Sequence, residues 1–222
     1  GGSSGIGKAT AIELVENGAT VCITGRDKDK LENVASEINA IPIHFDVSKY
    51  SSIAVKTLDA FHSMRGMDVL INNAGIGEFA KIEDIKVNHF ENIFATNVFG
   101  LTMLTQEVVK FFKTQQHGTI INIGSSAATS GFPSGSVYCA SKFALRGLTE
   151  CWRHELRRDN IRVVLVNPSE VPTAFNNKER VERDENENKL SSKEISHAIV
   201  SAISMDKRGF VPELNVWATN PF

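Results

Sequence analysis

"GGSSGIG" covers Gly1–Gly7, and what this stretch is decides how the chain after it is read. Glycines at positions 1, 5 and 7 place backbone without a Cβ where a chain turns tightly and a ligand can approach closely. Ile6, Ala9, Ile12, Leu14 and Val15 then recur at helical spacing until Asn17-Gly18 ends the run. A glycine-rich turn that opens a helix points the amides of Ser3 to Ile6, and the positive helix end, at one place. That arrangement holds phosphate. A loop of this kind is fed by a buried strand, and none precedes Gly1. The reading therefore expects the natural protein to carry roughly 5–12 further N-terminal residues rich in Val, Ile or Leu, because a central strand cannot be dispensed with.

Outward from the loop, short β-branched runs alternate with amphipathic ones. "ATVCIT" (19–24) reads as a strand, "DKDKLENVASEI" as a helix beginning at Lys28, and "AIPIHFDVS" as the next strand. Helices are expected at about 52–64, 87–115 and 136–158, with strands at 67–75, 118–126 and 161–169. Continuous Val/Ile strands are covered on both faces, which marks a parallel sheet wrapped by helices. The fold class is α/β, a doubly wound parallel sheet of the Rossmann type in a single domain over 1–222. "NNKERVERDENENKLSSKE" (176–194) is nearly all polar and follows Pro168 and Pro172. It reads either as a solvated excursion or, with 169–175, as a lid over the carboxyl ends of the strands.

The totals remove several classes of function. A chain of 222 residues, 41% hydrophobic, can bury a full core, and a net charge of −2 gives no electrostatic case for nucleic acid or an anionic membrane. No apolar run reaches the ~18 residues of a membrane span. Cys22, Cys139 and Cys151 form no CxxC pair, which suits a reducing cytoplasm. The six histidines show no ligand spacing, so no metal is expected.

The chemistry concentrates late in the chain. Of two tyrosines, Tyr138 lies in "YCASK", which puts Lys142 one helical turn away on the same face. Ser125 ends the strand "TIINIG", and Asn97 lies within the helix before that strand. "GGSSGIG", "NNAG" (72–75), Asn97, Ser125, "YCASK" and "NPSEVPT" (167–173), in this order, resemble the short-chain dehydrogenase/reductase family over nearly the whole chain. The 13-residue step from Ser125 to Tyr138 matches that family and favours Ser125 over Ser126.

The resemblance implies hydride transfer between nicotinamide and a carbonyl or secondary alcohol. Tyr138 would act as general acid and base, its pKa lowered by Lys142. Ser125 would hold the substrate oxygen, and Asn97 would anchor a water. It implies a cofactor site built by Gly1, Ser3, Ser4, Gly5, Ile6 and Gly7. Asp46 and Val47, Asn73 and Gly75, Tyr138 and Lys142, and Pro168, Val171 and Thr173 would complete it. Asp46 also reads as a plain helix cap. NADP(H) is expected over NAD(H): the place of the acid that holds a ribose 2′-hydroxyl is taken by Gly25, with Arg26 next. Asp27, one residue of slip away, reads as the cap of the following helix.

For the substrate, carbonyl reductases are the leading comparison. A 3-oxoacyl-carrier-protein reductase is the alternative, against which stand Pro168-Ser169-Glu170 and the ending "FVPELNVWATNPF". A silent dinucleotide sensor is a second alternative. Phe79, Phe132 and Phe175 line an apolar pocket or belong to the core. Val98, Leu101, Leu104, Val108, Phe143, Leu148 and Trp152 spread over more than one helix face, from which a homodimer or homotetramer is expected.

Overall fold

The structure, a computed structural model, describes residues 1–175, 177, 181–184 and 186–221. In chain order its elements are α1 (Gly5–Glu16), β1 (Cys22–Gly25), α2 (Lys28–Ile38), β2 (Ile41–His44), α3 (Ile53–Met64), β3 (Val69–Asn72) and α4 (Val87–Phe94). There follow α5 (Leu101–Gln115), β4 (Gly118–Ile123), α6 (Ser136–Leu156), β5 (Ile161–Pro168), α7 (Ser192–Ser204) and β6 (Glu213–Val216). Every strand pair is parallel: β1 with β2, and β3–β4–β5–β6 in that spatial order. The single domain is the expected α/β fold.

Alternate strand residues serve opposite layers, which is why both faces must be apolar. Ile120 and Val163 pack with Val108, Phe112 and Leu156 beneath α5 and α6. Their sequence neighbours Ile121 and Val164 join Ile123, Val166, Ile195 and Ile199 beneath α7. Ile6 of α1 leans on that second layer, which fixes the helix behind the glycine loop. At the junction of the two sheets the Gly2 amide donates to Thr24 O at 2.9 Å, and Gly1 O accepts from Asn73 Nδ2 at 2.7 Å. Gly1 and Gly2 thus link the carboxyl ends of β1 and β3. Among the described residues no strand joins those two.

Several expectations need correction. The helix expected over 87–115 is interrupted: α4 ends at Phe94, a π-helical turn covers Ala95–Gly100, and α5 begins at Leu101. Gly100 makes the wide turn possible, because a Cβ there would lie 2.4 Å from Val47 O. α6 stops at Leu156 and tightens into a 3₁₀ turn over Arg157–Asp159, as helix ends commonly do. β2 and β3 are trimmed at both ends, β4 and β5 begin where expected and end early, and β1 begins three residues late and ends at Gly25. Val98, Leu101 and Val108 are buried within the chain's own core, so they offer no second helix face; half-exposed Phe99, Met103 and Phe143 do. Parts of the expected lid (176, 178–180 and 185) lie outside the described residues. No described helix is long and apolar enough to cross a membrane, and no described group of three acidic, His or Cys residues is placed to hold a metal.

Candidate active site

β4 delivers Ser125 to the cleft through Gly124, whose amide still pairs with Val166 O at 2.8 Å. Gly124 is required: a Cβ there would sit 2.1 Å from Asn167 Oδ1. That oxygen accepts the Ser125 amide at 3.2 Å, while Asn167 Nδ2 donates to Glu213 Oε1 at 2.9 Å and Asn215 Oδ1 at 3.0 Å. Ser125 is therefore held from behind by a buried side chain anchored in β6. Its Oγ accepts from the Ala127 amide at 3.1 Å, and its hydroxyl draws the Tyr138 phenol toward ionisation.

Tyr138 and Lys142 lie one turn apart on α6, both buried. Lys142 Nζ donates to Ile123 O at 2.8 Å and stands 5.8 Å from the centre of the Tyr138 ring. Burial pulls Lys142 down from 10.5 to about 8. Burial also pushes the Tyr138 phenol above its ordinary value, against the opposing pull of the Ser125 hydrogen bond. This corrects the expectation of a lowered phenol. Phe79, Phe132 and Phe175 surround the ring and strip water from it, and desolvation disfavours the phenolate.

Asn97 sits in the π turn with its amide fully engaged. Oδ1 accepts from Ile76 N at 2.9 Å, and Nδ2 donates to Ile76 O at 2.9 Å and Ser141 Oγ at 3.1 Å. Ser141 Oγ in turn donates to Tyr138 O at 2.7 Å. Asn97 thus staples the "NNAG" loop to α6, and a Cβ on Gly75 of that loop would lie 3.5 Å from Asn97 Oδ1 and 3.9 Å from Lys142 Nζ. Asn72 crosses to β4: its Nδ2 donates to Asn122 Oδ1 at 2.8 Å.

The glycine loop already seats one anionic group, a carboxylate of this chain. Gly5 has φ +50°, and a Cβ on Gly7 would lie 1.9 Å from Gly1 O. Ser4 caps α1 with extended backbone and no side-chain bond, leaving the first amides open. One of them, Gly5 N, donates to Glu182 Oε1 at 2.8 Å, and the other oxygen of that carboxylate accepts from Ala174 N at 2.9 Å. The buried Thr173 side chain closes on Gly5, whose Cβ would meet it at 3.1 Å. Ser3 Oγ lies 3.3 Å from a Cβ built on Gly25. Arg26 directly follows Gly25 at the end of β1, and the preceding Thr24 O accepts the Gly2 amide, which brings Arg26 beside the loop.

Asp27 caps α2 by accepting from Lys30 N at 3.0 Å. Asp46 Oδ1 accepts from Ser48 N at 3.0 Å and Ser48 Oγ at 2.8 Å, so it closes a local turn. Pro168 ends β5, and Val171 is buried beneath α7.

Residues 1–184 match the family model described as short chain dehydrogenase. The chain belongs to the short-chain dehydrogenase family of oxidoreductases. An uncharacterized oxidoreductase of Staphylococcus aureus (strain MRSA252) is 30% identical over 221 residues, covering 97% of this chain and 94% of that protein. The alcohol dehydrogenase of the archaeon Thermococcus sibiricus, complexed with 5-hydroxy-NADP, superposes with a TM-score of 0.91 at 25% identity over 99% of this chain and 94% of its own. The 3-ketoacyl-(acyl-carrier-protein) reductase of Brucella melitensis, complexed with NADH, gives 0.90 at 27% identity over 100% and 96%.

Sequence reasoning brought Asn97, Ser125, Tyr138 and Lys142 to one cleft. It assigned no role to Asn167, Ser141, Gly124 or Glu182. Asn167 lies inside the quoted "NPSEVPT", so its signal was present. Glu182 is one acid among many in a polar run and carries no pattern.

Proposed function

We propose that this dehydrogenase transfers a hydride between NADP(H) and a carbonyl or secondary alcohol, with Tyr138 giving the proton in reduction and taking it in oxidation. The carrying observation is the convergence of Ser125 on the Tyr138 phenol, with buried Lys142 one turn behind and held by Ile123 O at 2.8 Å. The cofactor fits the residues present: the Gly5 amide already donates to a carboxylate as a stand-in anion, and a Cβ on Gly1, Gly2 or Gly7 would clash. Gly1, Ser3, Ser4, Gly5, Ile6 and Gly7 would hold the pyrophosphate, Arg26 the 2′-phosphate, and Asn73, Gly75, Pro168, Val171 and Thr173 the remainder. Bound there, the nicotinamide supplies or accepts the hydride. Both NADP and NADH occur on this scaffold in the two similar structures. The preference for NADP(H) rests on buried Gly25 and exposed Arg26 in place of an acid.

The chain's own groups then divide the work. Ser125 Oγ accepts from Ala127 N, so its one hydroxyl proton can turn from the Tyr138 phenol to a substrate oxygen. Tyr138, kept neutral by burial, hands its phenolic proton to that oxygen as the alkoxide develops. The phenolate left behind is stabilised by the cationic charge of Lys142, whose placement by Ile123 O keeps it within 5.8 Å of the ring. Half-exposed Phe99, Met103 and Phe143 give the same enzyme a face for a second copy.

Tyr138→Phe tests the reading. Loss of NADPH absorbance with a panel of ketones should fall about 10²- to 10⁴-fold, with NADPH binding retained. A rate above about a tenth of wild type would assign the proton to another group, and wild-type protein inert toward the whole panel would favour a dinucleotide sensor.

A further inference from the structure

We propose that Phe79, Phe132 and Phe175 form an aromatic clamp over Tyr138 that selects carbonyl compounds bearing an aryl group, or the corresponding alcohols; this rests on the hydride-transfer reading above. The three rings come from three separate segments: the loop after β3, the loop before α6 and the stretch after β5. Their centres stand 5.6, 6.5 and 5.7 Å from that of Tyr138, all edge-on or tilted. Phe79 and Phe132 also meet each other at 5.7 Å. The Ala80 amide donates to Ser134 O at 3.0 Å and joins the two loops that carry them.

Two glycines make this convergence possible. A Cβ on Gly77 would lie 3.0 Å from Phe175 Cζ and 3.2 Å from Phe79 Cζ, so a side chain there would drive the rings apart. A Cβ on Gly135 would lie 2.5 Å from Phe132 Cε2. The rings pack on one another yet keep surface in water: Phe79 is 40% and Phe132 45% exposed. Apolar surface left in water around the proton donor is released only by a ligand whose atoms flank the reacting oxygen.

The chemistry of that ligand follows from the ring geometry. Phenyl rings held by packing offer edges and faces at the separations aromatic pairs favour, and such pairs gain beyond their buried area. A cationic substituent would also suit ring faces. The buried ammonium of Lys142, 5.8 Å from the Tyr138 ring, opposes one. A planar, uncharged aryl group meets both conditions.

The test compares acetophenone with cyclohexyl methyl ketone, close in size but not planar, and reads the ratio of their kcat/KM in wild type, Phe79→Leu, Phe132→Leu and Phe175→Leu. Leucine keeps apolar area and removes the π system, and comparing ratios between variants cancels the intrinsic reactivity of the two ketones. Each substitution should lower the aryl-to-cyclohexyl ratio about 2- to 12-fold, with unchanged melting temperature for the two exposed positions. A ratio that stays constant across all three variants would overturn the clamp while leaving hydride transfer intact. Turnover of neither ketone would instead sink the hydride-transfer reading for such substrates. The clamp is then read from ligand-detected NMR binding of the same pair in the same variants, where equal affinity for both ketones throughout would overturn it.

Discussion

Glu182→Gln should tighten the binding of NADPH and NADH alike. The Glu182 carboxylate takes Gly5 N at 2.8 Å and Ala174 N at 2.9 Å, and a pyrophosphate held as proposed would need the first of these donors for itself. The strap that carries Glu182 is also tied by Arg183 Nε to Thr173 O at 3.2 Å, and by Lys189 to Glu170 at 3.0 Å. Glutamine keeps one acceptor and loses the charge. A charge-assisted hydrogen bond contributes roughly 1.5–3 kcal/mol and a neutral one roughly 0.5–1.5 kcal/mol. Both contacts are exposed, so the low end applies, and releasing Glu182 is worth about 1–2 kcal/mol. A closed strap favoured by that amount lowers the competent fraction, and its removal should tighten the dissociation constant about 5- to 30-fold.

Fluorescence titration of each nucleotide at fixed ionic strength measures this without turnover. Glu16→Gln, at the far end of the 12-residue α1, changes net charge equally and should leave affinity within about 2-fold. Arg26→Ala supplies the opposite signature in the same titration, weakening NADPH about 10- to 150-fold and NADH barely. Unchanged or weaker binding by the Glu182 variant would refute the argument that the strap competes for the phosphate seat.

Conformational stability should rise with pH between 8 and 10. Lys142 holds its proton to about 8 in the folded chain and to 10.5 when unfolded, so across that window the unfolded chain binds the extra proton and is progressively penalised. Half-buried Cys22, its thiol pushed up by desolvation from 9.0 to about 12, sets about 1 kcal/mol against the roughly 2 kcal/mol that Lys142 contributes by pH 10. Above that the raised phenol of Tyr138 acts in the opposite sense. Urea midpoints should rise from pH 8 to 9.5 in wild type and not in Lys142→Met; a parallel rise in both would assign the slope elsewhere. The second expected outcome is a dimer or tetramer by light scattering at micromolar concentration, through the face of Phe99, Met103 and Phe143; a monomer would refute it.

The fold was readable because its signals are local. Val/Ile runs spaced by amphipathic stretches, a glycine loop and Asp27 before a helix each announce their own element. The π turn at Ala95–Gly100 was not: nothing in "ATNVFG" breaks helical periodicity, and its cause is a pair of bonds from Asn97 to Ile76, 21 residues earlier. The direction of the Tyr138 shift was hidden for the same reason. Lys142 is adjacent in the helix and suggests a lowered phenol, whereas the rings that desolvate it arrive from positions 79, 132 and 175. Long-range contacts decide the chemistry at a site whose parts are locally legible.

What holds those parts in register is a set of asparagines, and the choice of amide is physical. Asn97 satisfies a backbone N–H and a backbone C=O of the same residue while donating once more to Ser141. Asn167 accepts from Ser125 N and donates to two oxygens of β6. Asn122 accepts from Asn72 and donates to Thr149 Oγ1 at 2.8 Å. Each needs donor and acceptor from one short side chain, which aspartate lacks when ionised and leucine lacks altogether. An aspartate at 97, 122 or 167 would also bury a charge opposite acceptors it had formerly served. Neutral amides fix the cleft that Ser125, Tyr138 and Lys142 share, and the charged contact of Glu182 with the glycine loop is left to the exposed strap. Rigidity and release are thereby assigned to different chemistry: buried neutral bonds where geometry must persist, and an exposed, salt-screened one where an anion must be able to take its place.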